Sequence, residues 1–451
     1  MRWRIDHLYD YLNDEEDARV CKDISDSACR VVPGNALLIF ISQLLTKMGD
    51  ALANPKVVLP SLFNALGVPA FFSGLLVPIR ESGSMLPQLL IGGVVRRYPI
   101  RKGFFVVGSL LQGLAVFAMA WVALSFSGLQ AGVLITLLLI LFSLARGLCS
   151  VASKDVLGKT IPKTRRGTIT GYCTSGAGLI TLLVGGGLLM LGPLQPSSSP
   201  DIAAHTDDLS VHSVLLAAGA VCWLLAALAY ARIREYRGAT DGGANGFIAA
   251  LKRLSLLKSD APLRHFVIVR ALMMGSGLAA PYFVLLAQQT PDNHWLSSLA
   301  IFMIAASLAG FISGVVWGKL ADNNSRRVMH LTALATAVIC ATTAAVAYLS
   351  QHQPAMLSPQ LSFWLLVLLF FLLSVTHEGV RLGRKTYLVD MASGNRRTDY
   401  VAISNTLMGV LLLLMGFVSA AIAQLSLIAI VATFALLTAV AAWLSLRLPQ
   451  T

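Results

Sequence analysis

Apolar residues run through this chain in long blocks, and polar residues gather in the short stretches between them. A helix needs about 20 mostly apolar residues to cross the hydrocarbon of a bilayer. Blocks of that kind fall near 35–60, 69–94, 103–126, 131–153, 167–193 and 212–232. A second series falls near 263–288, 295–318, 328–349, 361–384, 400–424 and 427–447. The pattern predicts twelve transmembrane helices, the last two separated only by the polar residues Gln424 and Ser426. The blocks are rich in Leu, Ala and Gly and lack period-two alternation, which argues against a β-barrel. Residues 1–34 contain no such block and have Asp14-Glu15-Glu16-Asp17 at their centre. They read as a solvated cytoplasmic tail without a signal peptide.

Composition agrees with a membrane protein. The chain has 451 residues, 56% hydrophobic and 13% charged, with a mean hydropathy of +0.72. Soluble domains carry roughly a quarter charged residues, so a soluble multidomain enzyme is excluded, as are disorder, collagen-like repeats and a disulfide scaffold. The formal charge of +13 could point to nucleic acid. Its distribution gives another reason: 29 of the 35 Lys and Arg residues lie in the tails and in the connections after even-numbered spans. The connections near 61–68, 127–130, 194–211, 289–294, 350–360 and 424–426 contain none. Positive residues favour the cytoplasmic side, so both termini are expected in the cytoplasm and the chain in the inner (plasma) membrane, with no nucleic-acid partner. The six cysteines show no metal-ligand spacing, so neither a metal nor a cofactor is expected. No GxxxxGK[ST] motif occurs, which argues against direct use of ATP.

The two series of six blocks match each other. A shift of 231 pairs Arg165-Arg166 with Arg396-Arg397, Lys154 with Lys385 and Gly178 with Gly409. A shift of 225 pairs Gly93 with Gly318, Arg101 with Arg326 and Lys102 with Arg327, and a shift of 226 pairs Leu52-Ala53-x-Pro55 with Leu278-Ala279-x-Pro281. Two parallel six-helix repeats, 35–232 and 263–447, joined by a cytoplasmic linker over 233–262, form a transporter architecture.

With these features the chain resembles the major facilitator superfamily (MFS) over about residues 35–447. The most specific match is the loop motif G-x-x-x-D-[RK]-x-G-[RK]-[RK] after the second and eighth spans. The second copy, Gly318 to Arg327, keeps Gly318, Asp322, Arg326 and Arg327 but lacks the middle basic residue and the second Gly. The first copy, Gly93 to Lys102, keeps Arg101 and Lys102 but has Arg97 where the Asp belongs. The resemblance implies that this Asp anchors a neighbouring helix terminus in one transport state. Any such latch should then rest on Asp322, or on a different arrangement in the first half. The stretch Gly49 to Pro60, with Asp50, Asn54 and Leu59-Pro60, resembles the first-helix motif of proton-driven exporters with one extra residue between Asp and Pro. The glycine-rich fifth span, ending in Gly192-Pro193, reads first as close helix packing.

Charges inside the spans carry the functional expectation, because each costs a few kcal/mol at mid-bilayer on insertion scales. They are Lys47, Lys56, Arg80, Arg146, Arg270 and Arg381 against Asp50, Glu81 and Glu378. Lys47 and Asp50 share a helix face at i, i+3 and form either a mutual ion pair or part of a substrate or proton site. Arg80 and Glu81 either link neighbouring helices or line the pathway. Arg146 lies where, by the resemblance, an Arg assists proton coupling. His377, Glu378 and Arg381 form either a proton carrier or a cluster at the membrane surface. If the three acids neutralise Lys47, Arg80 and Arg381, then Lys56, Arg146 and Arg270 are left over, which favours an anionic or zwitterionic small-molecule substrate.

The expectation is a monomeric, proton-coupled secondary transporter working by alternating access in the bilayer, with export weakly favoured. Proton-coupled uptake and an amphiphile or lipid cargo remain open. A membrane-embedded enzyme would need a catalytic cluster that only His377-Glu378 approaches, and a non-transporting receptor is the other remote reading.

Overall fold

The computed structural model describes residues 31–95, 97–161, 163–191, 203–238, 240, 256–289, 295–391 and 396–449. The expectations for the tail over 1–30, for Gly192-Pro193 and for most of the 233–262 linker lie outside the described residues. Among the described residues seventeen helices form and no strand. The first span is split into α1 (Val32–Leu52) and α2 (Val58–Ala65), the second into α3 (Ala70–Met85) and α4 (Gln88–Val95). Four long helices follow as spans three to six: α5 (Lys102–Ser125), α6 (Gly128–Thr160), α7 (Lys163–Leu191) and α8 (Ala203–Ala231). After the short α9 (Leu256–Ser259), the seventh span is split three ways into α10 (Ala261–Leu272), α11 (Gly275–Leu278) and α12 (Ala280–Gln288). Spans eight to twelve are α13 (Trp295–Asn323), α14 (Ser325–His352), α15 (Pro359–Met391), α16 (Arg396–Leu425) and α17 (Leu427–Ser445).

This is a helical fold with twelve spans in the order predicted, and eight of the described helical stretches are long and apolar enough to cross a membrane by length and composition. The eleventh and twelfth spans separate at Ser426, whose side chain caps α17 by accepting from Ala429 N at 3.2 Å. The tenth span runs further than the apolar pattern predicts, to Met391. That brings Arg384, which the loop count places in a connection, onto the helix.

The breaks have local causes. Pro55 has no amide to donate, and the residue before a proline avoids the helical region. Past Asn54, Lys56 N donates to Asn54 Oδ1 at 2.8 Å, while Leu59 N donates to Asn54 O at 3.0 Å. The chain thus turns on Asn54 before α2 begins. In the seventh span, Gly277 N reaches only to Met274 O and Ser276 N to Met273 O, so the turn tightens across Gly275-Ser276-Gly277. The break at Ala279, before α12, falls opposite the break at Ala53 under the 226 shift, while the tightened turn at 275–277 falls opposite the unbroken end of α1.

Two seams join the halves. Along the second and eleventh spans, Gly74 lies against Ala420, Gly416 against Pro78 and Gly409 against Leu86. Along the fifth and eighth, a Cβ on Gly185 would stand 2.8 Å from Ile304. The fifth-span glycine there does serve close packing. At the end opposite the basic connections the halves also meet by hydrogen bonds: Gln288 Nε2 donates to Ser61 Oγ at 2.8 Å, and Phe71 N to Gln424 Oε1 at 3.2 Å.

Candidate functional site

Among the described residues the ion pairs of Asp50 run to other spans, not to Lys47 at i, i+3. Its carboxylate bridges two arginines from other spans: Arg80 donates to Oδ1 at 2.8 Å, and Arg146 donates to Oδ2. The acid is one-quarter exposed and Arg80 only 14%, so the pairs are largely withdrawn from water. Phe142, one helical turn before Arg146 on α6, lies under the Arg80 guanidinium with its ring centre 4.7 Å from Cζ. Trp223 braces that ring edge-on at 5.0 Å. Trp223 itself fits against the bare backbone of Gly49, where a Cβ would stand 3.0 Å from the indole. Arg146 is therefore not a left-over cation, and the sequence-based neutralisation scheme is wrong in this part.

The second half repeats the contact with a serine and a histidine. The 226 shift places Asp50 opposite Ser276, and the 231 shift places Arg146 opposite His377. Ser276 Oγ and His377 Nδ1 lie 3.0 Å apart. Gly277 lets the imidazole approach: a Cβ there would stand 2.8 Å from His377 Cε1.

Between the halves lie two adjoining cavities that share Lys56, Ser276 and His377 in their walls. The first, about 80 Å³, is also lined by Glu81, Arg270, Arg381 and Arg384. The second, about 140 Å³, adds Asn54, Ser374 and Glu378. Glu378 and Arg381 pair with each other at 2.8 Å. Arg270 is buried, held by Ser404 Oγ at 2.5 Å and Asn405 Oδ1 at 3.0 Å on α16. His377, Glu378 and Arg381 on the tenth span thus line the cavities, with Glu378 and Arg381 themselves partly exposed. Glu81 lies beside Arg80 in sequence but lines the cavity, while Arg80 turns to Asp50. Sequence reasoning missed Ser276, Ser404, Asn405 and Arg384. Only Ser276 had a signal, its place opposite Asp50 in the repeat.

The loop residues divide between the halves. Gly93 lies on α4 and Gly318 and Asp322 on α13; the side chain of Asp322 is outside the described residues. Arg97 is exposed. Arg101 is buried, pairs with Asp155 and donates from Nε to Tyr98 O at 3.0 Å. Glu235, just past the sixth span, has a fully covered side chain. It accepts from Arg101 N at 2.9 Å, Lys102 N at 2.7 Å and Lys159 Nζ at 3.1 Å. Lys102 Nζ donates to Ala231 O and Ile233 O at the end of α8. These contacts tie the third, fourth and sixth spans together where the motif's Asp is missing. In the second half Arg326 donates to Leu448 O at 2.9 Å, Arg327 is exposed, and Asn324 caps α14 through Arg327 N at 2.9 Å.

Residues 39–358 match the family model of the Major Facilitator Superfamily. The chain belongs to that superfamily. Solved structures agree on the fold. A point mutant of the nucleoside transporter NupG superposes with a TM-score of 0.70 at 14% identity, covering 92% of this chain and 99% of its own. A D-xylose-proton symporter gives 0.62 at 15% identity, covering 89% and 96%. A POT family transporter in complex with 5-aminolevulinic acid gives 0.62 at 11% identity, covering 91% and 94%. No curated protein matches the chain by sequence at a significant level. The chain is thus a multi-pass membrane protein of a transporter superfamily.

Proposed function

We propose that this protein is a proton-coupled secondary transporter carrying a small anionic or zwitterionic solute by alternating access. The halves 35–232 and 263–447 rock as units about the two cavities, with both termini in the cytoplasm and the first-helix resemblance favouring export. One observation carries the coupling: the Asp50 carboxylate bridges Arg80 on the second span and Arg146 on the fourth. A proton and a guanidinium compete for the same carboxylate oxygens. Protonation of Asp50 therefore loosens two interhelical ties at once, and deprotonation restores them. The cavities beside it supply a place for the solute, and their excess of cations supports a negative charge on it. The hydrogen bonds from Gln288 and Phe71 hold the halves together at the end away from the basic connections, so the cavities are reached from the basic, cytoplasmic end.

The test is flux in proteoliposomes under an imposed pH gradient, with a panel of candidate solutes. Asp50→Asn keeps the shape of the side chain but cannot exchange a proton, and is expected to lower gradient-driven flux at least tenfold while the protein stays folded. Unchanged flux in this variant rules out Asp50 as the coupling acid.

A further inference from the structure

We infer that the cavity pair accepts an organic dianion with an apolar body, its charge read by Arg270 together with Lys56 and Arg384. The inference rests on the transport reading above and narrows its substrate class.

Arg270 is 6% exposed, yet among the described residues no carboxylate lies within ion-pairing distance of it. Its two terminal nitrogens are held by the neutral oxygens of Ser404 and Asn405. Its Nε is buried without a hydrogen-bond partner. A buried cation without a counter-charge is costly, and a guanidinium edge suits the paired oxygens of a carboxylate or phosphate. The neutral oxygens fix the guanidinium without using up its charge.

The rest of the wall sets the charge of the ligand. Lys56, Arg270, Arg381 and Arg384 line the first cavity against Glu81, and Glu378 on the second is paired to Arg381. With both carboxylates set against the four cations, two positive charges remain. A monoanion would leave one of them uncompensated, and a zwitterion would leave both. The same wall carries Met85, Met273, Met274 and Met408. Unbranched, polarizable methionines form an adaptable apolar surface, which fits a hydrocarbon or aromatic body beside the charged group. A phosphomonoester and a dicarboxylate share this chemistry, and the experiment separates them.

Titration calorimetry on the purified full-length protein at pH 7.5 uses probes built on one ring: phenyl phosphate, phthalate, benzoate, phenylalanine and benzylamine. Glycerol phosphate serves as a dianion without the apolar body. A phosphomonoester is mostly dianionic at this pH, its second pKa being about 6. Phenyl phosphate or phthalate is expected to bind at least tenfold more tightly than benzoate, phenylalanine or benzylamine. Whichever of the two binds better identifies the source of the charge. Glycerol phosphate should bind more weakly than phenyl phosphate. Arg270→Ala should weaken dianion binding at least tenfold and Arg270→Lys by less, and Arg384→Gln reports on the same charge where Arg270 variants do not fold. Equal or tighter binding of benzoate or phenylalanine overturns the proposal. So does the absence of binding by every dianion, or wild-type dianion affinity in Arg270→Ala or Arg384→Gln. Flux of the probes under a pH gradient separates the two levels. A transported monoanion or zwitterion overturns the dianion class alone. A dianion that binds through Arg270 but is never transported overturns the transporter reading and leaves the site standing.

Discussion

The two halves make the same contact with different chemistry. In the first, Asp50 on the opening span meets Arg146 on the fourth and also Arg80 on the second. In the second, the equivalent positions hold Ser276 and His377, joined by one hydrogen bond. Charge-assisted contacts are roughly twice as strong as neutral ones. The seam between the first and fourth spans of each half is thus a shared packing feature, and only the first copy joins a carboxylate to a guanidinium. The second half places its charge next to His377 and one turn beyond it on the tenth span, at Glu378 and Arg381, and on Arg270, which has no carboxylate partner among the described residues. The carboxylate bridged by two guanidiniums sits in one half, while the cation-rich wall belongs mostly to the other. On the function proposed above, coupling and solute recognition are separated in space, with Lys56 at the break in the first span lining the cavities that the second half dominates.

The largest effect should come from removing the acid altogether. Asp50→Ala leaves Arg80 and Arg146 close together and largely withdrawn from water without a counter-charge. Removing one partner of a buried ion pair costs about 3 kcal/mol or more. The variant should show it as a lowered thermal unfolding midpoint in detergent. A loss no greater than that of Ser276→Ala would erase the contrast between the halves.

The loops offer the same contrast. Glu235 takes hydrogen bonds from two backbone amides and from Lys159 in a fully covered position. Among the described residues, the corresponding second-half contact is a bond from Arg326 to Leu448 O. Glu235→Ala strands two amides and, among the described residues, leaves Lys159 with Asp155 as its carboxylate partner, so it should cost about 3 kcal/mol, against about 1 kcal/mol for Arg326→Ala. Thermal unfolding of the two variants side by side measures the difference. Equal losses would mean that the buried carboxylate does not replace the missing motif Asp.

Much of this was readable from the chain. The apolar blocks and the one-sided placement of Lys and Arg gave the span map, and the shifts of 225 to 231 gave the repeat. Pro55 marked the break in the first span. The choice of partners was not readable. Asp50 has a basic neighbour three residues away and binds two others 30 and 96 residues away, because helix packing, not sequence spacing, decides what a buried carboxylate meets. Asp155 and Glu235 were hidden among basic residues, where a count of positive charge passes over acids. The i, i+4 spacing of Asp155 and Lys159 was the one local hint. Arg384 was lost to a helix end drawn seven residues short.

The smallest effect is the one that tests the neutral pair. Ser276→Ala removes the hydroxyl that His377 Nδ1 meets but leaves the backbone of α11 and the close approach of Gly277 in place. A neutral hydrogen bond contributes about 1 kcal/mol net, so the loss of stability should be near that figure. It should also respond little to ionic strength, since neither the hydroxyl nor a neutral imidazole carries a charge for salt to screen. Asp50→Ala, by contrast, exposes two like charges to each other, and salt should relieve part of its defect. Thermal unfolding of both variants at low and high salt gives the comparison. A Ser276→Ala loss that grows or shrinks strongly with salt would mean that His377 is charged in the folded protein, and the second half would then be an ionic site of its own rather than the neutral copy of the first.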